Sequence, residues 1–156
     1  VAEVINACEF NHGYTYSGHP VCAAVALENL RIMQEENIVA HVQNVAAPAL
    51  KEALDKLGEH PLVGGVNVSG LMASLPLTPH KESRAKFADS GTAGYICREH
   101  CFANNLVMRH VGDRMIISPP LIITPEEIKI FAERATKALD ATYADLKDKD
   151  MLKAAS

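Results

Sequence analysis

A dense polar loop near the start of the chain leads directly into a helix. Residues 11–20 read Asn-His-Gly-Tyr-Thr-Tyr-Ser-Gly-His-Pro, and Pro20 suits the first turn of a helix predicted over 20–36. Hydroxyl groups and backbone amides at a helix start favour an anion such as phosphate, because the helix dipole and the unpaired donors both point there. The spacing matches neither the Walker nor the dinucleotide fingerprint. An ordinary capped loop therefore stays open beside an anion-binding loop.

Two other chemistries are less well supported by the residue spacing. Ser17 lies beside Gly18 and His19, but Gly-x-Ser-x-Gly is absent because Thr15 and His19 occupy its glycine positions. Two sets of residues have metal-ligand chemistry, Cys97, His100 and Cys101, and Cys8, His12, His19 and Cys22. Neither set has the paired spacing of structural zinc sites, so we expect no metal and interpret the cysteines as reduced thiols.

A single arginine interrupts an apolar strand pattern later in the chain. Arg109 follows Leu-Val-Met at 106–108 and precedes the turn residues Gly112 and Asp113. The planar guanidinium is suited to hold a carboxylate at two points. The alternative is an edge-strand arginine paired with the carboxylate of Asp113.

The elements that must position these side chains follow from periodicity and turn residues. Helices are predicted over 20–36, 38–57 and 92–104, and a long final helix is predicted after a capping box formed by Thr124 and Glu127. Strands are predicted near 63–68, 71–77, 106–110 and 114–118, with an exposed loop over 78–90 and a frayed C-terminus. This order predicts an α+β fold in which a small antiparallel or mixed sheet has helices on one side.

Composition narrows the classes of function. The 156 residues are 48% hydrophobic, with 15 Lys and Arg against 19 Asp and Glu, a net charge of -4. A general binder of nucleic acid or of anionic membranes is therefore not expected. No apolar run approaches the length of a membrane span and no signal-peptide pattern opens the chain. A cytoplasmic protein is the expectation.

The polar loop resembles a motif of the class III aminotransferases, pyridoxal phosphate (PLP) enzymes of fold type I. The similarity continues through Val-Ser-Gly-Leu-Met at 68–72, Asn-Leu-Val-Met-Arg at 105–109, Gly-Asp at 112–113 and Ile-Ser-Pro-Pro-Leu at 117–121. It extends over residues 10–143 and is greatest for the ω-transaminases that use pyruvate, especially those acting on putrescine and other amines. It implies that 1–37 end the large, α/β cofactor domain and that 38–156 form the small C-terminal α+β domain.

The resemblance also implies roles for three side chains. Thr15 would bind the phosphate of PLP in the active site of the partner subunit of a homodimer, and Tyr14 would line the same pocket, contacting cofactor and substrate. Arg109 would be the mobile arginine that binds the carboxylate of pyruvate and moves away for the amine donor.

No catalytic residue is assigned in this chain. The lysine that forms a Schiff base with PLP lies upstream of the loop in the family, whereas the first lysine here is Lys51. The chain is therefore expected to be the C-terminal portion of an aminotransferase and to be inactive alone. Two alternatives remain, a transaminase of ω-amino acids such as β-alanine and a non-catalytic α+β binding or assembly module.

Overall fold

The computed structural model describes residues 2–9 and 13–155, which divide into two compact units between Asn37 and Ile38. The first unit contains helix α1 (Ala2–Asn6) and helix α2 (Pro20–Glu35). Proline at the first position presets the helical backbone at the start of α2. Neither helix has a buried residue within the described part of the chain.

The second unit is an α+β fold. Its helices are α3 (Ile38–His41), α4 (Ala47–Leu57), α5 (Thr92–Ala103) and α6 (Pro125–Asp148), with a π-helical segment, Val42–Ala46, between α3 and α4. Its strands are β1 (Asn67–Ser69), β2 (Met72–Pro76), β3 (Arg109–Val111) and β4 (Arg114–Ile117). The predicted capping box at the start of α6 is confirmed, because Thr124 accepts from the amide of Glu127 and the Glu127 carboxylate accepts from the amide of Thr124.

The four strands form one antiparallel sheet in the order β1-β2-β4-β3. Side chains alternate across it. The inner face contributes Ala73, Leu75, Met115 and Ile117 to the hydrophobic core. The register places Asn67 opposite Ser74, Ser74 opposite Ile116 and Ile116 opposite Arg109. Those four residues form one row across the other face, which we call the outer face.

Helices cover the inner face in layers. Helix α5 packs on β3 and β4, and α6 packs against both α4 and α5. The apolar stripes of these helices, spaced by three and four residues, meet the sheet in one core. The fully buried positions include Leu50 and Leu54 of α4, Cys97 and Cys101 of α5, and Ala138 and Leu146 of α6.

Three local predictions differ from the structure. The first strand is shorter than 63–68, because the Gly64–Gly65 stretch leaves Val63 with only an isolated bridge to Leu77. The loop over 78–90 is not wholly exposed, since Phe87 is buried in the core. The C-terminus is not frayed at Ala154, which pairs with Phe87 in an antiparallel bridge.

Within residues 2–9 and 13–155, every helix is too short or too polar to cross a lipid bilayer.

Candidate functional site

The turn before α2 presents Thr15 to solvent. The amide of Ser17 donates to the carbonyl of Tyr14 at 3.0 Å, so Thr15 and Tyr16 occupy the two corner positions of a β-turn. The Ser17 hydroxyl accepts from the amide of Tyr14 at 3.2 Å and closes the turn from the other side. Gly18 follows with φ +73°, a conformation that favours glycine. These local hydrogen bonds fix the backbone on both sides of Thr15. Asn11 and His12 of the same motif lie outside the described residues.

The beginning of α2 has the properties of an anion site. Its N-cap residue, His19, makes no hydrogen bond from its side chain to the helix. The first amides of a helix have no acceptor within the helix, and the positive end of the dipole lies there. Within the described part of the chain, no residue hydrogen-bonds the Thr15 hydroxyl. Exposed donors and an uncapped helix start thus lie within a few residues of each other.

Tyr14 and Tyr16 flank Thr15 in this turn. Both rings are largely exposed, at 74% and 73%. The ring of Tyr16 meets the ring of His19 edge-on, with the centroids 5.9 Å apart. The role that the family resemblance implies for Tyr14, lining the pocket beside Thr15, stays a prediction.

Arg109 lies on β3, the edge strand of the sheet in the second unit. It is exposed and stands at the end of the outer-face row. Asp113 does not pair with it, so the alternative of a simple surface ion pair between these two residues is wrong. Among the described residues no carboxylate lies within ion-pair distance of the Arg109 guanidinium. The side chain is therefore available for a carboxylate ligand.

Asp113 instead fixes the turn that joins β3 to β4. Its Oδ2 accepts from the amide of Gly91 at 2.9 Å and its Oδ1 accepts from the amide of Gly94 at 3.1 Å. Gly91 is the N-cap of α5 and has no side chain to cap the helix. Asp113 therefore supplies the cap across the fold. From the sequence, Asp113 was interpreted as a turn residue and as a possible ion-pair partner of Arg109. The signal for its capping role was a helix start at Gly91, a residue without a polar side chain.

The same turn fits closely against α5 at Gly94. A Cβ at this position would lie 2.1 Å from the carbonyl oxygen of Gly112. His110 adds a further restraint, because its Nδ1 lies 3.0 Å from that oxygen and its ring meets Tyr95 edge-on. The hairpin that carries Arg109 is thus held to α5 by shape as well as by hydrogen bonds.

The candidate metal ligands do not converge. Cys97 and Cys101 are buried between α5 and α6, and their mutual hydrogen bond, together with burial, raises the pKa of the Cys101 thiol. His100 contacts Asp145 of α6 at 3.1 Å, which holds the pKa of that carboxyl below its ordinary value. Over the described ranges, no three His, Cys, Asp or Glu residues are grouped so as to hold a metal ion.

The residues present fit part of a PLP site. A threonine hydroxyl beside an uncapped helix start has the donors that a phosphate group requires. All nine lysines lie on exposed surfaces, whereas a lysine that attacks a carbonyl must be desolvated or have a lowered pKa. The chain thus offers phosphate and carboxylate binding groups.

Most of this chain matches a known protein family and several curated sequences. The family model "Aminotransferase class-III" matches residues 1–139. The putrescine–pyruvate aminotransferase of Pseudomonas aeruginosa is 52% identical over 145 residues, 92% of this chain and 32% of that protein. A probable γ-aminobutyrate transaminase 3, mitochondrial, of Oryza sativa subsp. indica is 37% identical over 90% of this chain and 28% of its own length.

Solved structures give the same result for the fold. The ω-transaminase of Pseudomonas jessenii in complex with PMP has a TM-score of 0.79 and 37% identity, over 86% of this chain and 29% of that one. A transaminase with L-ala has a TM-score of 0.81 and 32% identity, over 93% of this chain and 34% of that one. The chain spans about a third of the length of these relatives. With its matched residues covering most of the sequence, this chain belongs to the class III aminotransferase family.

Proposed function

We propose that this chain is the C-terminal part of a PLP-dependent aminotransferase that moves an amino group from an amine or diamine, such as putrescine, to pyruvate. The observation that carries the proposal is the 52% identity to the putrescine–pyruvate aminotransferase across 92% of the chain. We place the enzyme in the cytoplasm as part of this proposal.

The first unit binds the phosphate group of the cofactor. When bound there, PLP would supply the chemistry by which an amino group is transferred from the donor to the keto acid. Thr15 donates its hydroxyl to the phosphate, and the first amides of α2 add donors at the positive end of the helix dipole. Tyr14 lines the pocket beside it. These contacts hold the cofactor in place and exclude water from its phosphate end.

Arg109 binds the carboxylate of pyruvate. One pocket must accept first an amine with an apolar or cationic tail and then an anionic keto acid. Arg109 lies on an edge strand and forms no ion pair with a described residue. It can accommodate both substrates, because its side chain can bind a carboxylate and can move away from a cation. The hairpin anchored by Asp113 keeps the backbone of Arg109 fixed while its side chain moves.

The 156 residues by themselves do not transaminate. The nucleophilic lysine and the acid that faces the pyridine nitrogen come from outside the matched third of the enzyme, since every lysine here is exposed. The active enzyme is a homodimer with shared sites, in which Thr15 acts in the site of the partner and Arg109 in its own. The oligomer and these roles are part of the proposal.

A chimera tests the proposal directly. These residues replace the matching third of the Pseudomonas aeruginosa relative, and alanine formation from putrescine and pyruvate is measured. We expect an active chimera, in which Arg109→Leu raises the KM for pyruvate at least about tenfold. The amine half-reaction, followed by cofactor absorbance without pyruvate, stays nearly unchanged. Arg98→Leu, which removes a half-buried arginine of α5 that pairs with Glu99, serves as the control for loss of an arginine elsewhere in the second unit and leaves both half-reactions intact. Equal loss in both half-reactions for Arg109→Leu contradicts its assigned role.

A mixing experiment tests the shared site. Thr15→Ala and Arg109→Leu chimeras, each impaired alone, are unfolded together and refolded as a mixture. If the two residues serve different sites of the dimer, each mixed dimer contains one intact site. Activity then returns to roughly a quarter of the unmodified chimera, because half of the dimers are mixed. No recovery means that both residues serve the site of one chain.

An ω-amino acid transaminase is the second candidate. Relatives named as γ-aminobutyrate transaminases, at 37% identity, favour a donor that carries its own carboxylate. Competition between putrescine and β-alanine for the enzyme that carries these residues separates the two candidates. A non-catalytic binding module is the third possibility, and an active chimera excludes it.

A further inference from the structure

A polar cleft of about 650 Å³ lies in the second unit, at the end of the sheet near the β3–β4 turn. The cleft is open at the surface and bounded by the start of β1, the end of β2, the β3–β4 hairpin and the segment 84–90. Its lining includes Gly64, Gly65, Arg84, Lys86, Asp113 and Arg114. Its volume is within the range of small-molecule sites in proteins.

Three positive side chains line this cleft, against a single carboxylate that forms an ion pair with none of them. Arg84, Lys86 and Arg114 form no ion pair with any described residue. The one carboxylate in the lining, that of Asp113, already accepts amide hydrogens at both oxygens, from Gly91 and Gly94. The cleft therefore has a net positive charge that the described chain does not neutralise, although the chain as a whole has a net charge of -4.

Hydrogen bonds to the backbone of Ala85 and Lys86 hold the segment that carries Arg84 and Lys86 in place. The hydroxyl of Thr78, which is 3% exposed, lies 2.8 Å from the carbonyl oxygen of Ala85. The carbonyl of Lys86 accepts from the amide of Ala155 at 2.8 Å. Arg84 itself has φ +50°, an unusual backbone angle for a residue with a side chain. A ligand that binds here therefore meets cations on a backbone that is already ordered, which lowers the entropic cost of binding.

We propose that this cleft binds a small polyvalent anion that carries a phosphate group. Two guanidinium groups and one ammonium group provide more positive charge than one monocarboxylate neutralises, and a guanidinium matches the oxygens of a phosphate in bidentate geometry. Gly65 faces open space, since an added Cβ would meet nothing within 4 Å, so an anion can approach the backbone there. Gly64 beside it packs against Thr78 and donates its amide to the carbonyl of Pro76 at 2.8 Å. The site does not depend on the aminotransferase reaction.

Inorganic pyrophosphate is the probe for this site. It is titrated into the 156-residue chain by isothermal calorimetry at constant ionic strength, and pyruvate is titrated in parallel. We expect one saturable site for pyrophosphate and binding of pyruvate at least about tenfold weaker, since pyruvate has a single charge. Amide signals of Gly64 and Gly65 shift in the nuclear magnetic resonance spectrum as the site fills.

Charge-removing variants locate the binding. Arg84→Gln and Arg114→Gln are each expected to weaken pyrophosphate binding at least about tenfold. Lys129→Gln and Lys137→Gln remove the same charge from the exposed surface of α6 and leave the binding constant unchanged. Thermal unfolding without ligand confirms that each variant folds, and Lys86→Gln, which removes the third positive charge of the lining, replaces Arg114→Gln if the latter does not fold.

Three results would overturn the proposal. The first is an equal weakening of pyrophosphate binding in the cleft variants and in the α6 variants, which would mean that the anion is attracted only by the net charge of the protein. The second is saturation without a change at Gly64 and Gly65, or with changes confined to residues 15–22, which places the anion at the start of α2. The third is binding of pyruvate as tight as that of pyrophosphate, which assigns the cleft to monocarboxylates.

Discussion

The two units hold their candidate binding residues in different ways. Thr15 lies in a turn whose hydrogen bonds join residues three apart in sequence. Arg109 lies on a hairpin that is fixed to α5 by long-range contacts, since the hydrogen bonds of Asp113 with Gly91 and Gly94 join residues 22 and 19 positions apart. Helix α2 has no buried described residue, whereas the core of the second unit is continuous.

This difference shows which substitutions should matter. A turn set by local hydrogen bonds keeps its shape when distant residues change, and a strand set by packing does not.

The contact between Gly94 and the β3–β4 turn gives the largest expected effect. In Gly94→Ala, the new Cβ would lie 2.1 Å from a backbone oxygen that cannot rotate away. We expect a loss of about 3 kcal/mol or more in the free energy of unfolding, measured by urea titration. The control is Gly65→Ala, whose Cβ meets nothing within 4 Å; we expect a change below about 1 kcal/mol. A stable Gly94→Ala chain would mean that the hairpin is free to move from α5.

The Asp113 cap should have an intermediate effect. Asp113→Ala leaves the amides of Gly91 and Gly94 without their acceptors, and we expect it to cost about 1 to 2 kcal/mol in urea unfolding. Asp113→Asn keeps one acceptor oxygen and should lose less. If Ala and Asn variants unfold alike and near the unmodified chain, α5 takes its cap from elsewhere.

Features set by local contacts could be predicted from the sequence, whereas features set by long-range contacts could not. The capping box of Thr124 and Glu127 and the Gly112–Asp113 turn were predictable, because their signals lie within four residues. The burial of Phe87 was not, since it depends on a pairing with Ala154 at the far end of the chain. The exposed position of Arg109 followed from its charge. The anchor of its strand did not, because the cap that Asp113 of the β3–β4 turn provides to α5 is a long-range contact whose one local signal is the missing polar N-cap at Gly91.

His60 links stability to pH. Its Nδ1 accepts from the amide of Leu62 at 3.1 Å, and its Nε2 lies 3.3 Å from Asp140. Burial lowers the pKa of His60 from its ordinary value of 6.5; nearby Asp140 opposes this effect and Lys81 adds to it. Since the unfolded chain then binds the proton more readily, stability contributed by His60 is complete above about pH 6.5 and decreases as the pH falls below it.

The variant His60→Asn tests this dependence. Its amide oxygen can still accept from Leu62 but cannot take up a proton. We expect a shallower decrease of the unfolding midpoint temperature between about pH 6.5 and pH 5 than in the unmodified chain. The Asp145 carboxyl, whose pKa is also lowered, acts only in more acidic solution and is the same in both chains. Identical pH profiles would exclude His60 as the source.

The smallest effect is expected on α2 and separates the two units most directly. Leu27 is 69% exposed on that helix, while Leu54 on α4 is fully buried. Leu27→Gln retains helix propensity and removes an apolar group that water already contacts, so the free energy of unfolding should change by less than about 0.5 kcal/mol. Leu54→Gln is the matched change in the core. It leaves an amide among apolar side chains and should cost several kcal/mol, roughly 3 or more. Equal losses for the two variants would mean that the first unit of this chain buries α2 as firmly as the second unit buries α4, and the contrast between a locally held Thr15 and a globally held Arg109 would then fail.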